Sequence, residues 1–323
     1  MIQLSPPADA ATGRTEQTAS GDASSADAPT FWLCLTHDVD RPYKGYQSLY
    51  YALKQRDPYH LRTLLPDVNP YWQFENIMAL EESLGVRSAF YFLNEKRLFR
   101  DKPPREWLNP KSWQLYAGRY DIHDPAIVDV IRRLDEGGWE VGLHGSYDSY
   151  NDFDRLKHEK ETLEAILGHE IVGGRQHYLN LEIPTTWEYH RELGLKYDAS
   201  LGSSSEYGFD HGYDVQRPFD DEFVVFPLAY MENAIPDPGV DFEFAWHECK
   251  RVLDEAYENR AVMTILWHPM KFAARDFPGQ RELYQRIIEY AQALGAWVGP
   301  PGDLYAQRSA RFEAEVASGR ARS

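Results

Sequence analysis

The chain lacks the residues for a disulfide framework, for a thiolate metal site and for a membrane span. Its 323 residues include only two cysteines. Cys34 and Cys249 sit far apart in apolar stretches, so they read as small buried side chains, and no CxxC pair exists. No run of about 18 apolar residues occurs, which excludes a transmembrane helix. There is no GxGxxG or P-loop pattern and no GxSxG nucleophile elbow. Dinucleotide-binding, kinase-like and serine-hydrolase readings therefore fall away, and Gly137-Gly138 and Gly173-Gly174 are not phosphate cradles. Cations are also scarce: 34 Lys and Arg face 51 Asp and Glu, a formal charge of −17. That charge repels a phosphate backbone or an anionic membrane surface, so no nucleic-acid partner is expected. The N-terminus has no basic region followed by an apolar core, so a cytoplasmic location is expected.

What is present is an alternation of strand-like and helix-like segments. Residues 1–29 are Ala, Ser, Thr, Asp, Gly and Pro and read as a disordered tail. Residues 30–305 form the expected domain. Residues 306–323 are rich in Arg, Ala and Ser and read as a tail that extends a last helix. Strand patterns begin near 31, 87, 139, 170, 195, 222, 261 and 296. Helical stripes lie at 72–84, 124–134, 152–167, 184–193, 241–257 and 279–294. Asp124-Pro125 and Asp152 read as helix starts, and Gly85 and Gly168 as stops. Residues 42–70, 94–120 and 201–222 read as long insertions. The implied class is α/β, an open or irregular (β/α) barrel of seven or eight parallel units.

Polar chemistry collects at one edge of this pattern. Asp38, Asp40, His144, Arg175, His177, Asp198 and His268 each fall at or just past the C-terminal end of a predicted strand, where parallel β/α folds build sites. Side chains two apart on a strand point the same way, so Asp38 and Asp40 leave one face together. Two adjacent carboxylates repel unless a cation or a shared proton lies between them; the plain alternative is a capping turn with solvated acids. His144 and Asp148, four apart in a Gly-containing turn, can aim at one point. With Asp40 they make an N/O/O set suited to Zn2+ or another divalent transition metal, although a lone His after a strand is more often structural. His268 leaves the most apolar strand and reads either as a general acid or base or as a loop-bonded histidine. Arg175 is costly to bury unpaired, and Asp38 is its expected partner. Asp198 on its own reads as a turn cap. Strand parity points His37 away from both acids, and the remaining seven histidines show no partner pattern.

Taken in order, Thr36-His37-Asp38-Val39-Asp40, His144-Gly-Ser-Tyr-Asp148, Arg175-Gln-His-Tyr178 and Leu266-Trp-His268 resemble the polysaccharide deacetylase (NodB-homology) family over about residues 31–300. Tyr197-Asp-Ala-Ser200 then reads as a further family motif. The resemblance implies a metal-dependent de-N- or de-O-acetylase built on a deformed β/α barrel. It implies Asp38 as general base, Asp40 and His144 as metal ligands, Arg175 as the clamp on Asp38, and Tyr178 as a backbone N–H donor to the oxyanion. His268 would be the acid, with Asp198 to orient it. Two departures stand out. Val39 separates the two acids, and Asp148 stands where the family has a second His. The third ligand is then Asp148 or His177, or no metal binds and the barrel is inactive.

The expected function is hydrolysis of acetyl groups from an N- or O-acetylated glycan or glycan precursor, with a divalent ion, Zn2+ first, as cofactor. Tyr43, Tyr46, Tyr50, Tyr51, Trp107, Trp113 and Tyr116 in the insertions suit a sugar-stacking cleft or simply pack the loops. The alternatives are a hydrolase of a small non-sugar amide on the same fold and an inactive carbohydrate-binding barrel.

Overall fold

The computed structural model describes residues 28–317 apart from 46, 66, 67 and 220; the tail expected over residues 1–29 lies outside them except for its last two positions. Chain order begins with strand β1 (Trp32–Val39) and a first insertion holding helices α1 (Gln47–Gln55) and α2 (Tyr59–Arg62). Helix α3 (Phe74–Ser83) and strand β2 (Ala89–Leu93) follow, then a second insertion with α4 (Leu98–Asp101) and α5 (Pro110–Gly118). Next come α6 (Pro125–Glu136), β3 (Glu140–Gly145), α7 (Phe153–Leu167), β4 (Gly173–Gln176), α8 (Thr185–Glu192) and β5 (Tyr197–Asp198). The chain continues through β6 (Val224–Val225), β7 (Leu228–Met231), α9 (Phe242–Asn259) and β8 (Val262–Leu266). It ends with α10 (Gln280–Ala293), β9 (Trp297–Gly299) and α11 (Pro301–Ala317). The last helix therefore crosses position 306 without a break. None of the described helices is long and apolar enough to cross a membrane.

The sheet order is β6-β5-β4-β3-β2-β1-β8-β7, with β9 also on β1, and every strand pairing is parallel. The two outer strands of that order do not pair among the described residues, so the α/β barrel is deformed and open there. The deformed parallel β/α barrel is the fold expected, with nine strands among the described residues. The clear addition is β7, which Pro227 disguises as the loop after β6, because Pro cannot donate to a ladder and reads as a strand stop.

The helices begin where the residues say they should. Asp124 accepts from Ala126 N ahead of Pro125, Asp152 accepts from Arg155 N, and Asp241 accepts from Phe244 N. Each cap satisfies an otherwise orphaned N–H and adds about 1 kcal/mol.

Strand parity then sorts the side chains. Leu33, Leu35 and Val39 of β1, Phe90 and Phe92 of β2, Val141 and Leu143 of β3, and Met263 and Ile265 of β8 pack outward against the helix layer. Burial of each such side chain is worth about 1.5–3 kcal/mol. The alternate residues face the barrel interior, where Cys34, Tyr91, Tyr197, Val224, Phe226 and Val262 cluster with Leu304 of α11. Glycine makes room for two of these rings. A Cβ on Gly142 would lie 2.8 Å from Tyr91 Cδ1, and one on Gly173 would lie 2.4 Å from the Tyr197 ring. Thr36, Asp38, Asp40, His144 and His268 share the inward parity, so the arrangement that buries the core also aims them at one point.

Candidate active site and metal centre

Asp40 is the focus. Its Oδ1 lies 3.0 Å from His144 Nε2, and its Oδ2 lies 3.5 Å from His177 Nε2 and 3.4 Å from His268 Nε2. Asp38, His144, His177 and His268 are all buried. Together with Arg41, Tyr178, Leu179, Ser204, Met231, Asn233 and Met270 they line one cavity of about 250 Å3.

The tautomer of His144 decides what this cluster needs. Its Nδ1 is 2.9 Å from the Arg175 carbonyl, and a carbonyl only accepts, so Nδ1 carries the proton. In the neutral ring Nε2 is then a lone pair facing the Asp40 carboxylate. Two acceptors 3.0 Å apart require a proton or a cation between them. His177 adds a third donor. Ligand atoms of Asp40, His144 and His177 all lie within 4.8 Å of one another. An N/N/O set with one imidazole N–H tied to a backbone carbonyl is the donor chemistry of an open divalent-metal site. The residues present fit a Zn2+-like ion.

Charge follows the same pattern. Burial, the largest influence on Asp40, raises its pKa, but His177, His144 and His268 together hold it well below the usual carboxylate range. Burial pulls His177 down, and Asp40 and Glu95 outweigh it and hold the ring up at about 9. Burial also opposes the charged form of His268, yet Glu232 and Asp40 hold its pKa well above the ordinary histidine value.

Asp38 pairs with Arg175. Arg175 Nη1 donates to Asp38 Oδ1 at 2.9 Å and to Thr36 Oγ1 at 2.8 Å, while Nε donates to the Ala199 carbonyl at 2.7 Å. Asp38 Oδ2 is left facing His144, 3.7 Å from Nε2. Loss of Arg175 would leave a buried carboxylate uncompensated, at a cost of about 3–5 kcal/mol. Tyr178 lines the cavity on a turn where it and Leu179 are both left-handed, with φ of 60° and 57°. Such a conformation costs bulky residues about 1–3 kcal/mol each and is characteristic of functional turns.

Two expectations are corrected. Asp148 does not join the metal-capable cluster. The turn after His144 enters a 3-10 segment at Ser149–Asn151, and the Asp148 carboxylate pairs with Lys102 Nζ at 3.3 Å. His177 takes its place, directly past β4 and 5.2 Å from His144 between ring centroids. Asp198 does not orient His268. It accepts from Ser200 N, Ser200 Oγ and Trp187 Nε1 at 2.9, 2.6 and 3.2 Å, and its other neighbour is His190 Nδ1 at 3.4 Å. The partner of His268 is Glu232, whose Oε1 is 2.7 Å from Nδ1.

Glu232 and Glu95 are the residues that sequence reasoning missed. Glu232 follows β7, the strand concealed behind Pro227. Glu95 lies two residues past β2, with Oε2 at 3.5 Å from His177 Nδ1. Both carry the signal that marked the other residues, a carboxylate just after a short apolar run. His37, turned outward by parity, is tied instead to the Trp267 carbonyl at 2.6 Å and to Glu81 at 3.1 Å.

No family model and no curated protein sequence matches this chain. Solved structures do. One, from Mycobacterium smegmatis and taken to be a polysaccharide deacetylase, aligns over 89% of this chain and 93% of its own with a TM-score of 0.58 at 17% identity. Puue allantoinase aligns over 86% of this chain and 90% of its own with a TM-score of 0.51 at 14% identity. A chitin deacetylase from Colletotrichum lindemuthianum aligns over 84% and 86% with a TM-score of 0.42 at 14% identity. The deformed β/α barrel is the fold this chain shares with the first two of these structures.

Proposed function

We propose that the chain is a metal-dependent amide hydrolase that removes acetyl groups from an N-acetylated glycan or glycan precursor. The observation that carries this reading is the Asp40–His144 contact: two acceptors 3.0 Å apart, with His177 beside them, form a donor set that a divalent cation would satisfy. Asp40, His144 and His177 would hold it. When bound, such an ion polarises an amide carbonyl and lowers the pKa of a water.

The chain's own residues supply the rest. Asp38, held in place by Arg175, takes the proton of the attacking water through its free oxygen. The Tyr178 N–H, presented by the left-handed turn, donates to the oxygen that gains negative charge; one such donor is typically worth about 3–4 kcal/mol. His268, kept protonated by Glu232, gives its Nε2 proton to the leaving nitrogen as the C–N bond breaks. Acetate and a free amine result.

A second reading, hydrolysis of a small non-sugar amide, is favoured by the cavity itself, which holds about 250 Å3 and has Leu179, Met231 and Met270 on its walls. Against the inactive-barrel reading stands His177, whose ring nitrogen lies with Asp40 and His144 where Asp148 offers none.

The test is elemental analysis of the purified chain followed by acetate release from N-acetylglucosamine oligomers and from small N-acyl amides. One divalent ion per chain and acetate from the oligomers are expected. Release from the small amides alone selects the second reading. A chain that retains no divalent ion and releases no acetate from any of them would falsify the first two.

A further inference from the structure

The insertion between β2 and β3 opposes the rest of the chain in charge. Residues 94–119 hold seven Lys or Arg and three acids, a local charge of +4 in a chain of −17. Four of these cations, Lys96, Lys102, Arg105 and Lys111, converge on a second cavity of about 250 Å3 that Asp101, Glu106, Tyr147 and Asp148 also line. Lys102 is neutralised by Asp148 at 3.3 Å, and Lys96 lies 3.6 Å from Asp152. Lys111 and Arg105 have no carboxylate within 4.0 Å among the described residues. Lys111 Nζ is held instead over two aromatic faces, 3.4 Å from the ring centroid of Tyr178 and 4.7 Å from that of Tyr147. Tyr178 in turn packs 4.6 Å from His177. The cavity therefore begins one ring away from the metal donors.

We propose that this cavity is a subsite for an anionic group, carboxylate or phosphate, on the part of the substrate next to the scissile amide. This deepens the amide-hydrolase reading and rests on it for the word substrate, although the binding itself is independent. Lys111 and Arg105 line the same cavity and neither is in an ion pair among the described residues, so both can turn to an anion placed there. The Arg105 guanidinium is a planar fork that matches a carboxylate or phosphate, and the Lys111 ammonium is a point charge kept in place by the two rings. The positive charge of the insertion on an acidic body also draws an anionic ligand toward this cavity. Asp148, misplaced as a metal ligand, has a role here: it neutralises Lys102 and leaves Lys111 and Arg105 to the ligand.

The experiment titrates the full chain with methyl glucuronide, glucose 6-phosphate and methyl glucoside, read by the fluorescence of Trp107 and Trp113 and by calorimetry. At least one anionic sugar should bind roughly tenfold or more tighter than the neutral one, as a charge-assisted contact predicts. The two anionic arms tell carboxylate from phosphate. Lys111→Gln with Arg105→Gln should erase that preference, Lys111→Arg should keep most of it, and added salt should weaken it. Equal binding of all three sugars, or an unchanged preference in the double variant, overturns the proposal. Arg105 is exposed, so Arg105→Gln alone gives a folded variant in which the preference should fall. Acetate release measured in parallel bears only on the hydrolase reading.

Discussion

The two sides of Asp40 present the same side chain, histidine, in two different settings. On the β3–β4 side, His144 rests its Nδ1 on a backbone carbonyl at 2.9 Å, and His177 faces Glu95 at 3.5 Å without hydrogen-bond geometry. On the β7–β8 side, His268 meets a buried carboxylate, Glu232, at 2.7 Å. A carbonyl fixes a tautomer and adds no net charge, so it leaves a lone pair free to ligate. A close carboxylate stabilises the imidazolium and so makes a proton donor. For His144 and His268, what the ring does is set by the group behind it.

Removal of the ligand side should have the largest effect. His144→Ala or His177→Ala should strip the divalent ion, measured by elemental analysis, and lower hydrolysis by more than about 1000-fold. Asp148→Ala should leave metal content unchanged. If Asp148→Ala loses metal and His177→Ala keeps it, the assignment of the two sides is wrong.

Next in size is the acid side. Glu232→Gln should lower kcat by roughly 100- to 1000-fold with metal content intact, because Gln holds the ring but does not favour its charged form. The basic limb of the kcat–pH profile should move to lower pH, since the carboxylate that raises the His268 pKa is gone. Asp198→Asn should leave that limb where it is. A smaller change is expected from Glu95→Gln, which alters only what stands behind His177: about 10- to 100-fold weaker metal binding by titration, with the pH limb unmoved.

The framework of this comparison was legible in the sequence because a strand alternates with a period of two. Phe31 to Asp40 announces both the outward apolar stripe and the inward acids, and Arg175 at a strand end could only be buried against a carboxylate. Hence the Asp38–Arg175 clamp and the inward aim of Asp40, His144 and His268 followed from periodicity. The groups behind the rings did not. A histidine's partner is set by how loops return over the barrel, and neither Glu232 nor Glu95 is near its ring in sequence. Asp148 misled for the opposite reason. An i, i+4 spacing brings two side chains together on a helix, and this turn does not complete one. The short strand at Leu228–Met231 was hidden by Pro227, so the backing residue it delivers was hidden with it.

The same contrast of backing groups extends to the barrel floor, where the smallest effect is expected. Glu140, like Glu232, is a carboxylate enclosed by the sheet, but its partners are neutral donors: Tyr197 Oη at 2.5 Å and Gly302 N at 2.8 Å. Burial raises its pKa from 4.5 to about 7, with those hydrogen bonds only partly offsetting it. A carboxyl whose folded pKa exceeds its unfolded one contributes stability that is complete below about pH 4.5 and lost as pH rises through about 7, since the folded state then holds a proton that the unfolded chain has released. Glu140 is half-buried as a residue, so the loss is about 1–2 kcal/mol rather than the full value of the shift. Glu140→Gln mimics the neutral form at every pH. Urea unfolding at pH 5 should find it close to wild type, and at pH 8 should find it about 1–2 kcal/mol more stable. A variant equally destabilised at both pH values would mean that Glu140 is ionised in the fold, and that neutral donors suffice there for what Glu232 does beside a cation.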